Sequence, residues 1–208
     1  MRKAILGVAF AGGVITAAGA WALWPAPAVE MSASALMDIV MWNKQPIGGS
    51  FALTDQDGRL RRDSDFRGEL LLVYFGYTYC TDICPTDLQA MATAIDKLGP
   101  DGTTVQPLFI TVDPEHDTPA ALKLYVALFH PRLIGLTGSA AQIKKVARAY
   151  KVYYGRGEQT KPSDRVIDHS GFVFLIGRDG KYLGYLPPGT SADRMVESIR
   201  PHLAALQH

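Results

Sequence analysis

The chain of 208 residues holds two cysteines, Cys80 and Cys84, four positions apart where a strand gives way to a helix. The run Leu70-Leu71-Leu72-Val73-Tyr74-Phe75 is short, apolar and bounded by polar or glycine residues, the pattern of a fully buried strand. After the cysteines, Pro85 suits the first helical position, where a missing N–H is no loss. Leu88, Met91, Ile95 and Leu98 then recur at helical spacing and give one apolar stripe. Cys84 is thereby placed at a helix N-terminus, beside unpaired N–H groups and the positive end of the dipole. That position predicts a lowered thiol pKa and a reactive thiolate.

The compartment decides what two thiols can do. Arg2-Lys3 is a basic flank, and Ala4 to Trp24 is a stretch of 21 residues without charge. It is long enough to cross a bilayer as a helix and longer than a usual signal-peptide core, with Trp21 and Trp24 at the far interface. Residues 1–28 are therefore expected to be a membrane anchor with its N-terminus in the cytoplasm and the rest exported. Ala26-Pro27-Ala28 supplies the small residues of the rival reading, a cleaved signal peptide. Residues 29–45 read as a linker and 46–208 as the folded domain. Met31, Met37 and Met41 are read as apolar contacts of a short juxtamembrane helix, not as soft metal ligands. Without residues 1–28 the chain carries 19 basic and 20 acidic side chains, so charge gives no case for nucleic acid. In an exported domain a disulfide can persist, and the pair must be read as a staple as well as a reactive site.

The remaining chain alternates strands and helices. Phe51 to Thr54, Asp57-Gly58 and Arg59-Leu60 predict a hairpin. Thr104 to Val112 is the next strand, although Pro107 argues against its first half. Asp113 to Asp117 is a loop, Thr118-Pro119 opens a helix with Leu122, Tyr125, Val126 and Phe129 inward, and 134–137 is a short strand. Ser139 with Gln142 forms a capping box, followed by the apolar face Ile143, Val146, Ala147 and Tyr150. Residues 155–166 are polar with glycine and proline and read as an exposed loop. Val166 to Ile176 reads as one strand, Asp179-Gly180 as a hairpin turn and Lys181 to Leu186 as its partner. Thr190 with Asp193 caps a last helix, with Val196, Ile199 and Leu203 inward and a break at Pro201. The order predicts an α/β domain, a central mixed sheet flanked by helices, with the cysteine turn at the carboxyl end of a central strand.

Two thiols in a short turn can form a structural disulfide, exchange disulfides or hold a soft metal. His169, in Ile167-Asp168-His169-Ser170-Gly171, lies just before the apolar run Phe172 to Ile176. Two thiolates and one imidazole make a three-coordinate soft site that suits Cu(I), whereas structural zinc wants a fourth ligand. A lone histidine is otherwise read as a hydrogen-bonded structural residue. A direct Asp168–His169 bond is not expected, because neighbours on a strand point to opposite faces. His116, His130, His202 and His208 have no metal-ligand spacing to the cysteines.

Four motifs in order carry a family resemblance: Phe75-Gly76-Tyr77-Thr78; Cys80-x-x-x-Cys84-Pro85-Thr86; Thr111-Val112-Asp113-Pro114-Glu115-x-Asp117-Thr118-Pro119; and Asp168-His169-Ser170. Over about residues 45–205 the chain resembles the SCO/SenC family of copper-handling proteins. The resemblance implies a thioredoxin-like fold behind one membrane anchor. It also implies copper bound by Cys80, Cys84 and His169, and a role in cytochrome c oxidase assembly without enzymatic turnover. Cys80 and Cys84 would also be the redox-active pair, and Asp113 resembles the family's acidic loop residue, although a turn-forming role explains it equally well. Asp113 and Asp168 stand as candidate supports of the site. Tyr79 and Thr81 depart from many relatives, which carry His and Pro there, but neither is a ligand position. The loop before Val166 also lacks the Tyr that often precedes Asp-His-Ser.

The leading expectation is a copper metallochaperone tethered to the inner membrane with its domain in the periplasm. It would deliver to the binuclear copper centre of the oxidase's copper-bearing subunit and draw on an upstream copper donor and a thiol reductant. Copper would load only the reduced dithiol. A thiol–disulfide oxidoreductase that reduces the target's cysteines uses the same pair, with His169 accessory, and so does a redox or copper sensor. Thr81-Asp82-Ile83-Cys84 has the Thr-x-x-Cys spacing of peroxiredoxins, but Tyr77 stands where that motif needs Pro.

Overall fold

The computed structural model describes residues 46–81, 83–156 and 166–203. The expected anchor and linker, with Met31, Met37 and Met41, lie outside the described residues, as does His208. Among the described residues no helix is long and apolar enough to cross a membrane. The strands are β1 (Ala52–Asp55), β2 (Leu60–Arg62), β3 (Leu70–Gly76), β4 (Val105–Thr111), β5 (Ile134–Thr137), β6 (Tyr154–Arg156), β7 (Ile167–His169), β8 (Val173–Ile176) and β9 (Tyr182–Leu186). The helices are α1 (Ile83–Lys97), α2 (Pro119–Val126), α3 (Ala140–Ala149) and α4 (Ala192–Leu203).

Seven strands form one sheet in the order β2-β1-β5-β4-β3-β8-β9. The central strands β3, β4 and β5 are parallel, while β1, β8 and β9 add antiparallel edges. Every residue of β3 is buried because helices cover both faces. Leu71, Val73 and Phe75 enter the core formed with Ile143, Val146 and Ala147 of α3. Leu70, Leu72 and Tyr74 enter the opposite core with Leu88 and Met91 of α1, Leu122 of α2 and Ile199 of α4. This is the thioredoxin-like arrangement of a mixed sheet with flanking helices. Pro107 sits within β4 opposite Leu72 of β3, and the ladder to β5 starts only at Leu108, so the lost N–H falls where one neighbour is absent.

Local chemistry explains most boundaries. Gly58 at φ +79° turns the first hairpin, and buried Asp55 fixes it by accepting the N–H groups of Asp57 and Arg59 and pairing with Arg61 at 2.8 Å. Ser139 Oγ accepts the Gln142 N–H while Gln142 Oε1 accepts the Ser139 N–H, so the expected capping box starts α3.

Three expectations are corrected. Residues 166–176 are not one strand: β7 leaves the main sheet and pairs antiparallel with β6 in a separate two-stranded ribbon. The Ser170 N–H bonds to Tyr153 O, which turns the chain at Ser170-Gly171 before β8 begins. Thr190 does not cap α4, since its hydroxyl donates to Pro187 O; Ser191 Oγ accepts the Arg194 N–H instead, and Asp193 pairs with Lys97. Pro201 does not break α4, which continues to Leu203. Its missing N–H deprives the Glu197 carbonyl of its helical partner, but the helical course persists past it.

Candidate metal centre

The corner between β3 and α1 builds two-thirds of the site. The Cys80 N–H bonds to Tyr77 O at 3.2 Å and closes a turn directly after β3. Helix α1 opens at Ile83, so Cys84 lies inside its first turn and Pro85 is the third residue, not the first. Pro85 still falls among the N–H groups that lack intrahelical partners. Cys84 is fully buried and Cys80 half-buried, and no disulfide joins them. Gly76 makes the corner possible: a Cβ there would lie 2.9 Å from Cys84 Sγ and 3.0 Å from the Phe109 ring.

His169 comes from the far end of the sequence. It is the last residue of β7, opposite Tyr154 of β6, and its Nε2 lies 3.3 Å from Cys84 Sγ. Its Nδ1 faces Ser170 O at 3.4 Å, which favours the tautomer with Nδ1 protonated and turns the Nε2 lone pair toward the sulfur. The rings of Tyr74 and Tyr77 stand nearly perpendicular to the imidazole, with centroids 6.3 and 5.8 Å away. Tyr77 OH also accepts the Ile167 N–H at 3.3 Å and ties β7 to the corner. Among the described residues, Cys80, Cys84 and His169 are the one group of three metal-ligating side chains able to hold an ion, with ligand atoms all within 4.8 Å of one another. Two sulfurs and one nitrogen at this spacing form a soft, low-coordinate donor set.

The electrostatics differ from the sequence expectation. Cys84 does not sit below the usual thiol range. A hydrogen bond with Cys80 and burial push its thiol far up, and these outweigh the helix dipole. Two neighbouring thiols resist carrying two negative charges, and a bound cation inverts that logic. Tyr74 is likewise held protonated by burial and by the adjacent Cys84 and Asp87. Asp87, 1% exposed, accepts the Gly189 N–H at 2.8 Å and the Tyr74 hydroxyl at 3.3 Å, and burial raises its carboxyl above the usual range.

Asp113 and Asp168 take other places. Both Asp113 carboxylate oxygens face His116 Nδ1, at 2.8 and 2.9 Å. Asp168 is exposed on β7 opposite Gly155, on the other side of the strand from half-buried His169. The acidic residue that grips the cysteine turn is Asp117, through both Thr78 donors. Sequence reasoning gave Tyr74, Tyr77, Asp87 and Asp117 no role at the site, although Tyr77 and Asp117 stand within the quoted motifs. For Tyr77 and Asp117 the available signal was membership of those motifs; Tyr74, inside a buried strand, and Asp87, inside a helix, offered none. His130 lies near Asp96 at 3.6 Å, so neither it nor His116 joins the cluster.

A family model described as SCO1/SenC matches residues 41–204. The chain is 47% identical over 161 residues to the mitochondrial protein SCO2 homolog of Bos taurus, covering 76% of this chain and 60% of that one. It therefore spans about three-fifths of the length of the first curated relatives it matches. The crystal structure of Arabidopsis thaliana ScoI with copper bound shares 39% identity at a TM-score of 0.72, over 76% of this chain and 99% of that one. Bradyrhizobium japonicum ScoI with copper bound shares 36% identity at a TM-score of 0.69, over 75% and 99% of the two chains.

Proposed function

The chain belongs to the SCO1/SenC family, and from that premise we propose that it is a copper metallochaperone for cytochrome c oxidase assembly. Cys80 and Cys84 supply thiolates and His169 supplies Nε2 to one Cu(I). The single observation that carries this reading is the convergence of those three atoms within 4.8 Å. The donor chemistry fits the cargo: thiolate and imidazole in low coordination suit Cu(I) better than harder divalent ions. Relatives of known structure at 36% and 39% identity are described with copper bound.

Residues 1–28 hold the protein at the inner membrane, 29–45 link, and 46–208 form the copper domain in the periplasm. The cargo passes to the binuclear copper centre of the oxidase's copper-bearing subunit by exchange between thiolates, after loading from an upstream donor. Loading requires the reduced pair, so a thiol reductant acts first. The test is anaerobic titration of Cu(I) into the reduced full chain in detergent, beside His169→Ala. One tightly held equivalent, weakened in the variant, supports the site. Full retention without His169 removes its ligand role.

A second reading has its own observation. Cys80 is half-buried while Cys84 is fully buried, an asymmetry suited to thiol–disulfide exchange in which the outer sulfur meets a partner. Reduction of a partner's disulfide by the His169→Ala variant, and loss of that activity in both cysteine variants, would favour it.

A further inference from the structure

Asp117 is 1% exposed and touches no metal-ligating atom, yet it is the best-satisfied carboxylate near the site. Its Oδ2 accepts the Thr78 N–H at 3.0 Å and the Thr111 hydroxyl at 2.6 Å, and its Oδ1 accepts the Thr78 hydroxyl at 2.6 Å. Hydrogen bonds to an ionised acceptor are the strong ones, and three of them offset the cost of burying this charge. Two of the three donors belong to Thr78, two residues before Cys80. The third ends β4. The Asp117 N–H in turn bonds to Asp113 O at 2.9 Å, so the loop that holds the carboxylate is closed on itself.

The two sulfurs are fixed by different means. Cys84 sits in the first turn of α1 and packs in the core beneath Gly76. Cys80 sits on the turn that Thr78 begins. We infer that Asp117 is a positioning residue that clamps this turn, keeping the pair as a spaced dithiol and opposing its closure to a disulfide. A shared metal needs the sulfurs spread around one centre, whereas a disulfide needs them about 2.05 Å apart. A pinned turn favours the first geometry, and a released turn reaches both. The purpose of the clamp rests on the copper reading, but its effect on the thiols does not.

The test needs no metal. Closing the pair forms one S–S bond and releases two protons and two electrons; glutathione disulfide accepts them and becomes two glutathione thiols. The reduced full chain in detergent, Asp117→Asn and Thr78→Val are equilibrated across glutathione buffers, and the dithiol fraction is read by alkylation and mass. Asparagine keeps the shape but turns an NH2 group toward groups that donate. It should shift the equilibrium roughly tenfold toward disulfide, about 30 mV more negative. Thr78→Val, which keeps the backbone N–H, should shift it in the same direction by about threefold. A folded Asp117→Asn protein with the wild-type equilibrium overturns the inference, and so does a lowered melting temperature with no redox shift. Where Asp117→Asn does not fold, Thr78→Val decides, and an unchanged equilibrium there also overturns it. A parallel Cu(I) titration separates the two readings: absence of binding by the wild type sinks the copper function alone, while the redox shift still decides the clamp.

Discussion

Cys80 and Cys84 are held by a corner continuous in sequence, whereas His169 is carried in by a ribbon outside the seven-stranded sheet. The corner rests on a fully buried strand and a 15-residue helix packed in one core. The ribbon has two three-residue strands and meets the corner through the Tyr77–Ile167 bond at 3.3 Å and the 3.3 Å approach of His169 to Cys84. Local order of this kind is formed with little loop-closure cost, while the histidine must be brought across 85 residues of chain. The thiols therefore act as the fixed part of the site, and the imidazole completes it.

The largest effects should separate the two parts directly. Cys84→Ser removes a charged ligand from the fixed part and should weaken Cu(I) binding on the order of a thousandfold, about 4 kcal/mol. His169→Ala removes a neutral ligand from the ribbon and should weaken it about a hundredfold, near 3 kcal/mol. Competition titration against a Cu(I) chelator gives both numbers. A histidine loss equal to the cysteine loss would mean that the ribbon is as firmly built as the corner.

Gly76→Ala tests how rigid the corner is. The new Cβ would meet Cys84 Sγ at 2.9 Å and the rings of Phe109 and Tyr74 at 3.0 and 3.1 Å. Overpacking of this kind costs about 1–3 kcal/mol, and thermal denaturation should show a fall of about 2–4 °C for each of them. Copper affinity should fall too, because the sulfur must shift. A lower melting temperature with unchanged affinity would show a corner that relaxes around its ligand.

Tyr77→Phe acts on the ribbon alone. It keeps the ring beside His169, centroids 5.8 Å apart, and removes the acceptor of the Ile167 N–H. The expected cost is about 1 kcal/mol, read as a loss of Cu(I) affinity of about fivefold. No change would show that the ribbon is held in place by other contacts.

The same division explains what could be read from the residues alone. The corner was legible because a buried run, a proline and a helical stripe are local signals, and Cys80, Cys84 and α1 followed from them. The ribbon was not. Residues 166–176 are two apolar runs around Asp168-His169-Ser170-Gly171, and that polar break does not reveal that β7 joins a different sheet from β8; that depends on β6, which a glycine-containing polar stretch disguised as loop. Asp117 was hidden for a related reason, since an aspartate beside Thr-Pro is already explained as a turn former. Asp87 was hidden because a single acid on a helix is ordinarily solvent-facing, and nothing local marks this one as buried. Both are identified only by who donates to them.

Asp87→Asn gives the smallest effect and bears on the corner's charge. The Asp87 carboxyl is raised by burial above 3.8, the value it has when unfolded. Its protonated form is thus favoured in the folded state. That contribution to stability is complete below 3.8 and is lost as pH rises through the folded value. The ionised form is a buried charge with one backbone donor and one hydroxyl at 3.3 Å. Asparagine resembles the protonated acid: its carbonyl can accept the Gly189 N–H, and its NH2 can donate to the Tyr74 oxygen. The difference in stability between variant and wild type should therefore move in the variant's favour from about pH 3 to about pH 7, by less than the effect of Tyr77→Phe. Thermal denaturation of the metal-free dithiol across that range measures it. A difference that does not change with pH would mean the carboxyl ionises in the folded corner as easily as in water, and the corner would then tolerate charge as readily as the ribbon does.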